Sequence, residues 1–193
     1  MLLVLALLLV FIIPVSFAAE NETTPVGETD VDDTSSVNNV LSSSETTNDY
    51  YFDASAVDDT GNGSINNPHK YLKDEYVKPN SVLHFKNGEY SLKQLKSGSY
   101  NNVTFVGQNS ENTIINGHGS SITVNNLFTF INITIFNATI INNGNLTARN
   151  TIFSNSVAPL QGKYSKSFGG AIQCTGTSYD AYIYNCTFIN NYA

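Results

Sequence analysis

From about residue 101 the chain repeats itself, and the repeat leaves few folds open to it. Three segments align: Asn137-Ala138-Thr139-Ile140-Ile141-Asn142-Asn143, Asn150-Thr151-Ile152-Phe153-Ser154-Asn155-Ser156 and Asn185-Cys186-Thr187-Phe188-Ile189-Asn190-Asn191. Each starts on Asn, continues through a small residue and a pair containing a large apolar side chain, and ends in a polar, Asn-bearing turn. Each also follows a short alternating run: Ile133-Thr134-Ile135, Leu146-Thr147-Ala148 and Tyr182-Ile183-Tyr184. A looser copy is Asn112-Thr113-Ile114-Ile115-Asn116-Gly117, and the four copies begin 25, 13 and 35 residues apart. Short strands separated by Asn or Gly turns at such intervals predict a β-solenoid, whose coils stack as parallel strands about 4.8 Å apart. One coil cannot bury its own inner face; stacked coils can. The alignment predicts an inner ladder of Ile140, Phe153 and Phe188, with Asn stacked on Asn at each corner. Ala138, Thr151 and Cys186 leave room beside the corner. Thirteen residues are too few for a three-sided coil. Either one side is skipped, or those two copies occupy different sides of one coil.

Composition agrees. The 193 residues include 26 Asn, 11 Tyr, 11 Phe and no Trp, and 41% are hydrophobic. Asn is poor in helices and favoured in turns, because its side chain imitates a backbone turn and tolerates left-handed φ/ψ. A helical bundle is therefore excluded, and the apolar content excludes disorder throughout. The net charge of −7 excludes a strongly basic nucleic-acid binder. That charge is unevenly placed. Glu20–Asp49 holds 8 acids and no Lys or Arg, whereas residues 50–193 hold 8 acids and all 9 bases.

Four stretches follow from these patterns. Leu2–Ile13 is an unbroken apolar run of 12 residues. That is short for a bilayer span but suits a signal peptide at 1–18, with Ser16-Phe17-Ala18 before the cleavage point. No Lys or Arg precedes the run, and an uncleaved anchor is the alternative; either way the rest lies outside the cytoplasm. Residues 19–49 read as a disordered acidic, Ser/Thr-rich linker. Residues 50–100 read as an N-terminal cap. In it Asn67-Pro68 is a helix start, predicting a short capping helix over His69–Val77 with Tyr71, Leu72 and Tyr76 inward. Val82–Phe85 and Glu89–Leu92 read as strands around an Asn87-Gly88 turn. Residues 101–193 are the coils.

Asn185–Ala193, with Gly169-Gly170-Ala171-Ile172 upstream, resembles the repeats of adhesin-like surface proteins of methanogenic archaea, which have a pectate-lyase-like right-handed parallel β-helix. Gly63–Pro68 followed by Lys86–Tyr90 resembles the usual opening of such domains. Asn102–Gly107 followed by Thr113–Gly117 resembles their first coil. The resemblance covers about residues 50–193. It implies an all-β, right-handed parallel β-helix and is weak for function, because the repeats are structural. Family members are usually longer, and the repeat pattern stops without a polar capping segment, so truncation at the C-terminal end is expected.

The fold also hosts polysaccharide lyases and glycosidases, which need facing carboxylates, or several Asp for calcium with a basic residue. Between residues 101 and 193 the only acids are Glu111 and Asp180, and Arg149 is the only Arg. No catalytic set is predicted, and Arg149 reads as an outward corner residue. His69, His84 and His118 share no metal spacing, the Asp58–Ser64 loop reads as a surface turn rather than a calcium loop, and no cofactor is expected. Cys174 and Cys186 fit either a disulfide across the narrow interior or two small buried thiols; the anaerobic habitat implied by the resemblance favours thiols. Seven Asn-x-Ser/Thr sequons occur. Asn21, Asn62 and Asn102 are the better glycan acceptors, because Asn137 and Asn185 are wanted at corners. The expected function is a non-catalytic, secreted or cell-surface adhesin-like protein. Its outward Tyr182 and Tyr184 would meet glycans or another cell's surface, with membrane contact only through the N-terminal segment. The alternatives are a carbohydrate-active enzyme or its catalytically dead remnant, and a structural envelope component.

Overall fold

The structure, a computed structural model, describes residues 48–96, 100–158, 169–175 and 180–193. The expected signal peptide and the expected linker up to residue 47 lie outside the described residues. In chain order the strands are β1 (Asn48–Phe52), β2 (Ser81–Phe85), β3 (Gly88–Ser91), β4 (Val103–Gly107), β5 (Thr113–Val124), β6 (Phe128–Ile131), β7 (Thr134–Asn142), β8 (Leu146–Arg149), β9 (Ile152–Ser154), β10 (Ile172–Cys174), β11 (Ala181–Tyr184) and β12 (Thr187–Ile189). One sheet has the order β1-β2-β4-β6-β8-β11; the other runs β12-β9-β7-β5-β3, with β10 on β7. Every pairing between these strands is parallel. The chain is thus all-β, and from β2 to β9 it alternates between two parallel sheets; β10 joins the second sheet again before β11 and β12 return to the first and the second. β1 begins inside the stretch expected to be linker.

Strand alternation sends one set of side chains inward at each level. In the first sheet Leu83, Phe105, Phe130, Ala148 and Ile183 occupy one inward register position. Phe105 and Phe130 are fully buried, 5.8 Å apart and edge to face. In the second sheet the inward row is Tyr90, Ile115, Ile135, Phe153 and Phe188. Burying each fully enclosed Leu, Ile or Phe of these rows contributes about 1.5–3 kcal/mol before the entropy of ordering it. Ile140 is not in that row: it pairs with Ile122 and Ile172 further along β7. The predicted ladder of Ile140, Phe153 and Phe188 is corrected to Ile135, Phe153 and Phe188.

The corners explain the asparagine content. Among the described residues nine non-glycine residues have positive φ, and all but His118 are Asn: 80, 102, 132, 137, 150, 155, 185 and 190. A left-handed residue costs most side chains about 1–2 kcal/mol, and Asn tolerates it best. Asn132, Asn150 and Asn185 follow β6, β8 and β11, turning the chain from the first sheet to the second. There Asn150 Nδ2 donates to Asn132 Oδ1 (3.0 Å) and Asn185 Nδ2 donates to Asn150 Oδ1 (2.7 Å). Asn137 lies within β7, where that strand bends, and Asn155 and Asn190 follow β9 and β12. Asn137 and Asn150 therefore turn different corners, which accounts for their 13-residue separation.

The cap departs from expectation. No helix spans His69–Val77; only a 3-10 turn forms, at Asp74–Tyr76. Tertiary hydrogen bonds override the Asn-Pro start signal. The His69 N–H donates to the Tyr51 carbonyl (2.8 Å) and its carbonyl accepts from the Asp53 N–H (2.9 Å), tying it to β1 as strand. The next two N–H groups, of Lys70 and Tyr71, donate to Asp59 Oδ1 at 2.8 and 3.0 Å. Leu72 is buried as predicted, but Tyr71 is exposed. The expected strands on either side of Asn87-Gly88 form, yet they join different sheets rather than pairing with each other.

Candidate ligand-contact face

The same alternation that fills the core sends two rows outward on the first sheet. One row is Asp49, Val82, Thr104, Thr129, Thr147 and Tyr182; the other is Tyr51, His84, Val106, Ile131, Arg149 and Tyr184. Five strand spacings make this face about 24 Å long. Its middle is short β-branched side chains, so aromatic and charged groups stand only towards its ends.

At the β11 end Tyr182 and Tyr184 are 62% and 72% exposed. With Thr147 and Arg149 they line a shallow cleft of about 310 Å³. Arg149 is at the end of β8, pointing outward, and forms no ion pair among the described residues. The Tyr182 hydroxyl donates to Asp180 Oδ2 (3.3 Å). Such a surface offers flat ring faces and hydrogen-bonding rims together, the pairing a saccharide requires.

At the β1 end lies a second cluster that sequence reading missed. Tyr51 stacks on His84, with ring centroids 4.7 Å apart and planes 14° from parallel. His84 Nε2 lies 2.8 Å from Asp49 Oδ1. Tyr51, His84, Ile65, Val106 and Gln108 border a groove of about 260 Å³ whose rim includes Lys86. Lys86 Nζ sits 2.8 Å from Asp53 Oδ2. That lysine, helped by the Ser55 hydroxyl, holds the Asp53 carboxyl down at about 2.

The other residues singled out from the sequence are scattered. In this structure Cys174 and Cys186 stand as separate thiols, the first exposed rather than buried and the second half-buried. Cys174 Sγ accepts from Asn142 Nδ2 (3.7 Å), while the Cys186 thiol donates to the carbonyls of Ala148 and Tyr184 (3.4 and 3.3 Å). Each sulfur is held at its own level of the stack. Asn62 is exposed, with Oδ1 accepting from the Ser64 N–H (3.1 Å). Asn102 proves to be a corner residue itself, its Nδ2 donating to Asn80 Oδ1 (2.9 Å), so the nitrogen a glycan would need is already engaged. Asn21 lies outside the described residues.

Glu111 lies two residues before β5 and Asp180 one residue before β11, strands of different sheets. Among the described residues no group of three or more His, Cys, Asp or Glu side chains is placed to hold a metal ion. Asp58 accepts from the hydroxyl and N–H of Thr60, which hold its carboxyl below the usual range. Burial works against the charge of Asp59, but Lys73 Nζ at 2.5 Å and the two backbone N–H groups outweigh it and keep its carboxyl low. These carboxylates fasten the cap. His69 is buried against Tyr76, rings 3.5 Å apart, with Nδ1 lacking any partner; burial holds its imidazole below the ordinary value.

The chain matches no known family model, and neither a curated protein nor a solved structure is significantly similar to it.

Proposed function

We propose that the chain is a non-catalytic, adhesin-like protein, secreted or held at a cell surface, that displays a right-handed parallel β-helix. The outward face of the β1-to-β11 sheet is its contact surface for glycans or another cell's coat. The observation that carries this reading is the division of labour along the strands. Inward positions are spent on packing, and the outward-pointing side chains of β11 are two exposed tyrosines beside an arginine. In-register parallel strands with Asn at the turns support the β-helix.

The test is binding of the purified chain to immobilised glycans. Tyr182→Ala combined with Tyr184→Ala abolishes binding while leaving the circular dichroism spectrum unchanged. Release of unsaturated or reducing sugar ends from polysaccharide by the wild-type chain would replace this reading with a catalytic one. Absence of any glycan signal would refute the contact function.

A further inference from the structure

The groove at the β1 end has a narrower chemistry than the tyrosines of β11. Tyr51 and His84, stacked with planes 14° apart, form one continuous aromatic wall. Ile65 and Val106 add aliphatic lining. Ile65 comes from the loop between β1 and β2, in a turn closed by the Asn67 N–H donating to the Ser64 carbonyl (3.1 Å). It is 62% exposed at a kind of position that polar residues usually fill. The charges around the groove are already matched within the protein. His84 Nε2 lies 2.8 Å from Asp49, and Lys86 Nζ lies 2.8 Å from Asp53. A carboxylated ligand would approach two carboxylates, and an ammonium ligand would compete with Lys86 for Asp53. What remains at the rim is hydrogen-bond donors. Gln108 Oε1 accepts from the Asn87 N–H (3.1 Å), which leaves the Gln108 NH2 without a partner among the described residues. Lys86 keeps N–H groups beyond the one given to Asp53.

We propose that this groove takes the acetamido group of an N-acetylated amino sugar. The proposal rests on the glycan-contact reading and names the sugar class recognised at one end of that face. An acetamido group is neutral, so it disturbs neither ion pair. Its carbonyl accepts from the Gln108 NH2 and from Lys86, while its methyl lies against Ile65 and Val106. The hydroxyl of a plain hexose has no apolar end to fill that wall, and a free amine brings a charge the groove cannot match. The groove holds about 260 Å³. Pockets for drug-sized ligands start at about 300 Å³, so a single sugar residue with its substituent fits, and the rest of a longer glycan lies on the open sheet.

NMR titration of the full, isotope-labelled chain tests it with three probes: N,N′-diacetylchitobiose, its deacetylated form, and cellobiose. The acetylated disaccharide should bind about tenfold more tightly than either of the others, and should shift the backbone signals of Ile65, His84 and Val106. Gln108→Glu keeps an acceptor for the Asn87 N–H but removes the NH2 donor, and should weaken that binding about tenfold. Ile65→Ser, at an exposed turn position that asks little of the fold, should weaken it as well. Equal binding of cellobiose and the acetylated disaccharide overturns the acetamido assignment, as does an affinity indifferent to both variants. Either result leaves the contact face standing if immobilised glycans still bind and the Tyr182→Ala, Tyr184→Ala chain still loses them. Absence of binding to any glycan overturns both readings together.

Discussion

Replacing Phe105 with alanine probes the stack at its middle. Phe105 is fully buried, with ring centroids 5.2 Å from Phe85, 5.1 Å from Phe128 and 5.8 Å from Phe130. Its register partners, Leu83 below and Phe130 above, belong to strands hydrogen-bonded into the same sheet. Those strands hold the cavity open, because neither can collapse without breaking register. Loss of the ring should cost about 3–5 kcal/mol. For a folded unit of this size, Ser43–Ala193, that lowers the melting temperature by about 6–20 °C. Phe188→Ala is the matched control. Its ring is half exposed and has a stacking partner on one side only, Phe153, so the cost should stay near or below about 1.5 kcal/mol. Thermal melts followed by far-UV circular dichroism, on dilute samples, separate the two. Equal costs, or a cost below about 1 kcal/mol for Phe105→Ala, would refute the stacked core.

Corner chemistry is tested at Asn150, where φ is 49° and the side chain bonds to Asn132 and Asn185. Asn150→Ala should lose about 1–2 kcal/mol to left-handed strain in addition to the ladder bonds, whereas Asn150→Gly loses only the bonds. In urea melts, alanine equal to or better than glycine would contradict the corner assignment. Acid should weaken the cap through His69. Because burial holds its folded-state pKa below the unfolded 6.5, the unfolded chain binds the proton more readily. Stability is therefore full above about pH 6.5 and falls as pH drops through the window down to the folded value. Asp59, Lys73 and Glu75 are the charged groups acting on it, with Asp59 and Glu75 favouring the proton and Lys73 opposing it. Melting temperature against pH for wild type and His69→Phe should diverge below that point; parallel curves would remove His69 from the account.

What the sequence revealed and concealed has physical causes. Parallel stacking was readable because apolar residues alternate in runs such as Val103–Gly107 and Phe128–Ile131 between asparagine turns. The inner row was misaligned because two corners demand the same thing. Asn137 and Asn150 both need left-handed backbone, and both are followed by a strand, so their local sequences converge although they turn different corners. The capping helix failed for the opposite reason: its start signal at Asn67-Pro68 is local, while the bonds that override it come from Tyr51, Asp53 and Asp59. The Tyr51–His84 cluster depends on register across a long intervening loop, Asp49 to Val82 and Tyr51 to His84, which no local pattern encodes. Tyr182 and Tyr184 were legible as outward residues because they flank Ile183 in a strict alternation.

Cross-linking tests the central claim, in-register parallel stacking, most directly. Thr104 and Thr129 are outward register partners on β4 and β6. Parallel neighbours lie about 4.8 Å apart, within the Cα range a disulfide accepts. In a chain with Cys174 and Cys186 changed to Ser, Thr104→Cys with Thr129→Cys should oxidise readily to an intramolecular disulfide. Thr104→Cys with Ile131→Cys, two residues out of register, should not. Rapid closure of the offset pair, or none by the matched pair, would contradict the stack.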